Sequence, residues 1–145
     1  MMTIGRLGRA AGVKVPTIRY YEEIGLLPEA ERSAGNQRLY PEAMLARLSF
    51  IRHARELGFP LAAIRDLLRL AAHPDRPCEE ADRIAAEQLA AVRARIARLR
   101  ALERELERMV ASGAHGTVGE CRVIEVLGNH ALCADEHGAG EEVFA

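Results

Sequence analysis

The sequence predicts a mainly α protein: a winged helix-turn-helix domain, then one long helix that forms an antiparallel coiled coil, then a C-terminal loop. Residues 79–111 contain neither glycine nor proline and repeat their apolar residues every three or four positions, as a long amphipathic helix does. Shorter segments with the same spacing precede it and are bounded by Gly or Pro. Three glycines within residues 112–119 then indicate a loop.

Two short helices are predicted at the start of the chain. Thr3 is a suitable N-cap for a helix over 4–11, and Gly12 ends that helix. A second helix over 16–24 starts with a proline in its first turn and ends at Gly25. Two short helices around a tight turn indicate a helix-turn-helix, in which the second helix is the reading helix.

The early positions of the reading helix carry polar groups suited to DNA. Thr17, Arg19, Tyr20 and Tyr21 supply a hydroxyl, a guanidinium and two phenols, which can contact phosphates and base edges. Our predicted contacts on this helix are Thr17, Arg19 and Tyr20.

A small hairpin is predicted after the reading helix, with its turn at Gly35 and Asn36. Arg38 and Tyr40 lie on its second arm, which is the arrangement of a wing that contacts backbone phosphates. The alternative interpretation of these residues is a solvated surface loop.

Helices over 42–57 and 61–71 complete a predicted DNA-binding domain of residues 1–71. Apolar residues at helical spacing should face inward from both helices. Arg47, Arg52 and Arg55 lie on the opposite face of the first of them, where we expect them to be mainly solvated.

Residues 72–111 are predicted to form a linker and a dimerisation helix. The helix has an apolar stripe that another helix must cover, and no second segment of comparable length exists in the chain, so we expect a two-fold dimer. The stripe consists of Ala85, Leu89, Val92, Ile96, Leu99, Leu106 and Val110. At ~1.5 Å per residue the helix is roughly 50 Å long, so Cys78 and Cys121 can share an ion only across an antiparallel dimer. The alternative is that the three cysteines are unrelated apolar residues.

The charge distribution and the cysteine content limit the classes of function that this chain can have. Residues 1–70 carry 11 Arg and Lys against 7 Asp and Glu, whereas residues 71–145 carry 9 against 14, so the first half is the basic one. Three cysteines, no signal-peptide core and no membrane-length apolar run predict a cytoplasmic protein without a disulfide framework. No catalytic constellation or phosphate loop is apparent, so we do not expect an enzyme.

Three segments in unbroken order resemble the MerR family of transcription regulators. They read TIRYYEEIGLL over 17–27, RSAGNQRLY over 32–40 and LARLSFIRHARELGFPLAAIRDLL over 45–68. The resemblance implies a homodimer on double-stranded promoter DNA, with Arg19 and Tyr20 as reading-helix contacts and Arg38 and Tyr40 as wing contacts. Gln37 departs from the aromatic residue often found at that position of the wing.

The resemblance also implies an effector-binding loop and short helix over 112–128. Metal-sensing members carry two cysteines in this loop; Cys121 matches the second of them, and Ser112 stands where the first is expected. A cysteine at the start of the dimer helix, here Cys78, goes with sensors of divalent ions. We therefore predict a site made by Cys78 of one chain with Cys121 and His115 of the other.

Two thiolates and an imidazole suit tetrahedral zinc, so Zn²⁺ is the first candidate among divalent thiophilic ions, before cadmium, lead or mercury. A three-thiol site for mercury or lead would need Cys133 in place of His115. The tail, 129–145, is predicted to be flexible, and its His130 and Cys133 are secondary candidates for ligands.

The predicted function is a metal-responsive regulator of metal efflux or resistance genes. The resemblance implies that the dimer holds a promoter with an overlong spacer and distorts it on metal binding, which affects RNA polymerase indirectly through the DNA. The alternatives are a thiol-redox sensor that uses Cys121 alone and a copper(I)-responsive regulator of the same fold.

Overall fold

The structure is a computed structural model that describes residues 1–111 and 116–133. The chain divides into two compact units, Met1–Ala85 and Ala86–Ala145. Six helices and one hairpin occur in the described residues, namely α1 Ile4–Ala11, α2 Val15–Glu23, β1 Glu31–Arg32, β2 Arg38–Leu39, α3 Ala43–Glu56, α4 Leu61–Ala71, α5 Glu79–Ala111 and α6 Arg122–Gly128. No helix among them is long and apolar enough to cross a membrane.

The helix-turn-helix forms as its capping residues predict. The Thr3 hydroxyl accepts a hydrogen bond from the Arg6 amide at 3.4 Å, and Gly12 takes the left-handed conformation (φ 68°) that ends α1. α2 starts one residue earlier than predicted because Val15 is already helical, with proline next in the first turn. It also ends one residue earlier, before Gly25 (φ 74°).

The wing is a two-stranded antiparallel sheet in which Glu31 pairs with Leu39 and Arg32 with Arg38. Its turn includes Asn36 at a φ of 60°, a conformation that asparagine tolerates better than most residues. Two backbone hydrogen bonds of 2.8 Å join Met2 to Tyr40, so the first residues of the chain pair with the end of the wing.

One apolar core joins the helices of the first unit and the base of the wing. Its fully buried side chains are Leu7, Ile18, Leu26, Tyr40, Leu48, Ile51 and Ile64. Each aliphatic side chain of this kind contributes about 1.5–3 kcal/mol relative to an exposed one. The core therefore fixes the orientation of α2 and leaves its opposite face for contacts with a partner.

The arginines of α3 bind backbone carbonyls; Arg52 and Arg55 are also exposed to solvent, as predicted, whereas Arg47 is half-buried. Arg47 Nε donates to the carbonyl oxygen of Leu26 at 3.0 Å, Arg52 Nη1 to that of Ala11 at 3.2 Å, and Arg55 Nη1 to that of Phe59 at 3.1 Å. Carbonyls at helix C-termini have no partner within the helix. Arg52 and Arg47 therefore bind carbonyls at the end of α1 and shortly after α2, whereas Arg55 binds a carbonyl between α3 and α4.

The second unit contains most of α5, a 3-10 turn at Val118–Glu120, α6 and a 3-10 turn at His130–Leu132. Met109 of α5 and Val126 of α6 are buried, at 7% and 3% exposure. Glu105, also buried, forms an ion pair with Arg108 one turn later. The predicted bounds of α5 are confirmed, and α6 extends one residue further than predicted.

Candidate DNA-binding surface and metal ligands

The reading helix α2 has one buried face and one exposed face. Ile18 (0% exposed) and Tyr21 (8%) are three residues apart and belong to the core. Arg19 and Tyr20 lie on the other side of the helix, where Tyr20 is 48% exposed, and Thr17 in the first turn is half-buried. The predicted reading-helix contacts therefore include two side chains that the core holds outward.

The wing and the reading helix line a common polar cleft of about 380 Å³. Arg19 comes from α2, and Arg32 and Arg38 come from the two strands of the wing. The guanidinium of Arg38 is 39% exposed, and its Nη1 lies 4.0 Å from Oε2 of Glu22 on α2. Three guanidinium groups from two elements thus line one cleft, together with three Glu carboxylates.

Tyr40 does not have the position expected of a wing contact. Its side chain is fully buried. Burial, followed by the nearby Glu22 carboxylate, raises the pKa of Tyr40 from 10.0 to about 12, so its phenol is uncharged at neutral pH. This position argues against the predicted direct contact with DNA and indicates that Tyr40 supports the wing from beneath.

The sequence analysis missed the groups that hold the C-terminal end of α2. Arg65 of α4 donates from Nη2 to the carbonyl of Ile24 at 2.7 Å and from Nη1 to that of Gly25 at 3.3 Å. Together with Arg47 on Leu26, these bonds satisfy three successive carbonyls. Glu22 was missed as well, although an acidic side chain three residues after Arg19 on the reading helix was a usable signal.

Cys78 is a free, exposed cysteine immediately before α5. Its Sγ lies 3.8 Å from Oδ1 of Asp82, and its carbonyl accepts the Asp82 amide at 2.9 Å. Nearby, Arg69 of α4 lies 3.7 Å from Glu80 in the first turn of α5. The predicted ligand thus stands at the junction between the DNA-binding helices and the long helix.

Cys121 is a free, half-buried cysteine immediately before α6. Its amide donates to the carbonyl of Val118 at 3.1 Å, and its carbonyl accepts the Glu125 amide at 3.0 Å. The residue is therefore fixed by backbone hydrogen bonds on both sides. A free thiol on a fixed backbone can bind a thiophilic ion.

His130 and Cys133 lie in and just after the second 3-10 turn, and both line a cavity of about 1030 Å³. Apolar residues of α5 and α6, among them Leu106, Val110 and Leu127, form most of its wall. A surface of this kind is suited to another apolar surface rather than to a charged ion.

The remaining predicted ligand, His115, lies outside the described residues. Among residues 1–111 and 116–133, no three His, Cys, Asp or Glu side chains are grouped so that they could hold a metal ion.

Two family descriptions match the chain. Residues 2–71 match the MerR HTH family regulatory protein, and residues 45–109 match the domain described as MerR, DNA binding.

Named relatives and a solved structure agree with these matches. The chain is 43% identical over 131 residues to the HTH-type transcriptional regulator ZntR of Escherichia coli K12, covering 88% of this chain and 92% of that protein. It is 42% identical to the mercuric resistance operon regulatory protein of Serratia marcescens, covering 75% and 74%. The transcription regulator PbrR691 from Ralstonia metallidurans CH34 in complex with lead(II) superposes with a TM-score of 0.75 at 45% identity, covering 88% and 99%.

Proposed function

Because the chain belongs to the MerR family of helix-turn-helix regulators and is not an enzyme, we propose that it binds promoter DNA as a homodimer and responds to a divalent thiophilic ion, with zinc as the first candidate. The observation that carries this proposal is the pair of free thiols, Cys78 and Cys121, that stand just before and shortly after the dimerisation helix α5. The regulated genes would serve metal efflux or resistance.

The exposed stripe of α5 supports the homodimer. Leu89, Ile96, Leu99, Leu106 and Val110 are between 38% and 76% exposed. Burying such side chains contributes about 25 cal/mol per Å² of apolar surface, which favours a second copy of the helix as the partner. An antiparallel pairing would place Cys78 of each chain beside Cys121 of the partner subunit.

DNA binding is assigned to α2 and the wing. Arg19 and Tyr20 would enter the major groove, Thr17 would contact the backbone near the helix start, and Arg38 would bind a phosphate beside it. Tyr40 would contribute by supporting the wing, because its side chain is buried.

The metal site would take Cys78 from one subunit, and Cys121 and His115 from the other. A thiolate and imidazole set of this kind favours zinc, while the lead(II) complex of PbrR691 and the name of the mercuric regulator keep lead and mercury as alternatives. His130 and Cys133 are weaker candidates because the cavity they line is largely apolar.

The response would reach DNA through the junction of α4 and α5. When bound, the ion would be held by thiolates of two subunits, and it would link those subunits at the start of α5. Arg69, which contacts Asp66 at 3.0 Å and Glu80 at 3.7 Å, joins that start to α4. A small shift there would rotate the DNA-binding domain of one protomer relative to that of its partner. Distorting a DNA site of promoter length in this way costs about 1–6 kcal/mol. RNA polymerase would then use the altered promoter.

The first experiment is an anaerobic titration of the reduced, metal-free protein with zinc, cadmium, lead, mercury and copper(I). We expect one divalent ion per subunit, and we expect Cys78→Ser and Cys121→Ser each to abolish tight binding. Cys133→Ser is the matched control and should retain it. Tight binding of copper(I) alone, or dependence on Cys121 alone, would instead favour the copper(I) or thiol-redox alternatives.

A mixture of the two inactive variants tests whether the site crosses the dimer. After equal amounts of Cys78→Ser and Cys121→Ser are unfolded and refolded together, half of the dimers should be mixed, and each should have one intact site. We therefore expect recovery of about one ion per four subunits. No recovery would exclude a site shared between subunits.

A further inference from the structure

We infer that Glu22 is a positioning residue for DNA recognition: its carboxylate holds Arg38 of the wing against the reading helix, so that both elements present their cations to DNA in a fixed arrangement. This inference rests on the proposed DNA-binding function. It adds a role for an acidic residue within a basic surface.

The position of Glu22 between the two elements is the first support. Glu22 lies in the last turn of α2, its side chain is only 11% exposed, and its Oε2 is 4.0 Å from Nη1 of Arg38. Both residues line the polar cleft together with Arg19 and Arg32. The Glu22 carboxylate thus links the helix to the wing within a cleft that both arginine and glutamate side chains line.

The surroundings of this carboxylate are the second support. Neither Oε1 of Glu22 nor the Tyr40 hydroxyl has a hydrogen bond of ordinary geometry in the described part of the chain, and both atoms are buried. After burial, the Glu22 carboxylate is the next cause of the raised pKa of Tyr40, whereas the charges of Arg38 and Arg19 lower that pKa. Glu22 therefore belongs to a compact cluster of charges beneath the wing.

A buried and incompletely bonded carboxylate is a poor source of stability, since a buried ion pair can often be replaced by apolar residues without loss. Its effect on geometry is more direct. A guanidinium has five N–H donors, so a single contact at 4.0 Å leaves most of them available for phosphate while restricting where the group can move. Glu22 thus orients the Arg38 guanidinium and leaves most of its N–H donors available to DNA.

Glu22→Gln tests this role, and Glu23→Gln is the matched control. Glu23 is adjacent, exposed and also borders the cleft, so its replacement removes the same charge near the DNA. The probe is a duplex selected by the wild-type protein from a random-sequence pool, and affinity is measured at several salt concentrations. We expect Glu22→Gln to bind at least fivefold more weakly and the slope of log affinity against log salt to become shallower by about one. Glu23→Gln should bind as well as the wild type or slightly better.

Arg38→Gln and the double variant Glu22→Gln/Arg38→Gln show whether Glu22 acts through Arg38. If it does, the double variant should bind like Arg38→Gln alone, because the group to be positioned is already absent. Additive losses, or equal behaviour of Glu22→Gln and Glu23→Gln, would overturn the inference. Circular dichroism and thermal unfolding of each variant distinguish these outcomes from misfolding. Glu22→Asp keeps the charge, so its salt slope should lie between those of Glu22→Gln and the wild type. A wild-type protein that selects no duplex would refute the proposed function instead.

Discussion

Replacement of Arg65 by glutamine should destabilise the DNA-binding domain, because Arg65 reaches from α4 to the end of the reading helix. Its two hydrogen bonds, of 2.7 Å to Ile24 and 3.3 Å to Gly25, satisfy carbonyls that the helix itself cannot pair. Glutamine preserves helix propensity in α4 but is too short to make the same pair of contacts.

The magnitude follows from the number, length and exposure of these bonds. A hydrogen bond from a charged donor contributes about 1.5–3 kcal/mol when buried, but Arg65 is exposed and its longer bond is weak. We therefore expect a loss of about 1–1.5 kcal/mol, which corresponds to a decrease in Tm of roughly 4–10 °C for a domain of this size. Arg47→Gln removes one partly buried bond of 3.0 Å and should cost about 1.5–2 kcal/mol.

Urea unfolding at one fixed protein concentration, followed by circular dichroism, measures this loss. Arg6→Gln on the exposed side of α1 is the control and should change the free energy of unfolding by less than about 0.5 kcal/mol. An Arg65→Gln variant as stable as the Arg6→Gln control would show that water replaces the guanidinium at these carbonyls, and it would refute the reasoning.

Two further predictions concern Tyr40 and the stripe of α5. The Tyr40 pKa is raised in the folded state, so its contribution to stability is present in full below pH 10 and is lost as the pH rises to about 12. The wild type should lose about 2 kcal/mol over this interval in urea unfolding, and Tyr40→Phe should not. Leu106→Gln places an amide at a residue that is 60% exposed in one protomer, so the protomer should remain folded. The dissociation constant of the dimer, measured by sedimentation equilibrium, should rise at least tenfold. Unchanged dimerisation would exclude this part of the stripe from the interface.

The helix bounds were predictable where the residues that start and stop a helix are its neighbours in sequence. Thr3 and Gly12 define α1, and the predicted bounds of α1, α4 and α5 are confirmed. The carbonyl contacts of Arg47 and Arg65 were not predictable, because donor and acceptor are 21 to 41 residues apart and meet only after the core has formed.

The candidate site was predictable in residue type but not in arrangement. Arg19 and Tyr20 are exposed as the helical spacing requires, whereas Tyr40 was assigned to the wing surface from its polar hydroxyl and is buried through its ring. The two thiols Cys78 and Cys121 are free, but the predicted site joins two chains. Neither the spacing of residues in one sequence nor the geometry of one protomer can establish such a site.

The pairing of Met2 with Tyr40 affects how the protein is best handled. Because both backbone hydrogen bonds of Met2 are made with Tyr40 at the end of the wing, residues fused ahead of Met1 would start one position from the pairing that joins the first residues of the chain to the wing. A cleavable tag placed after residue 145 leaves the sequence around this pairing unchanged.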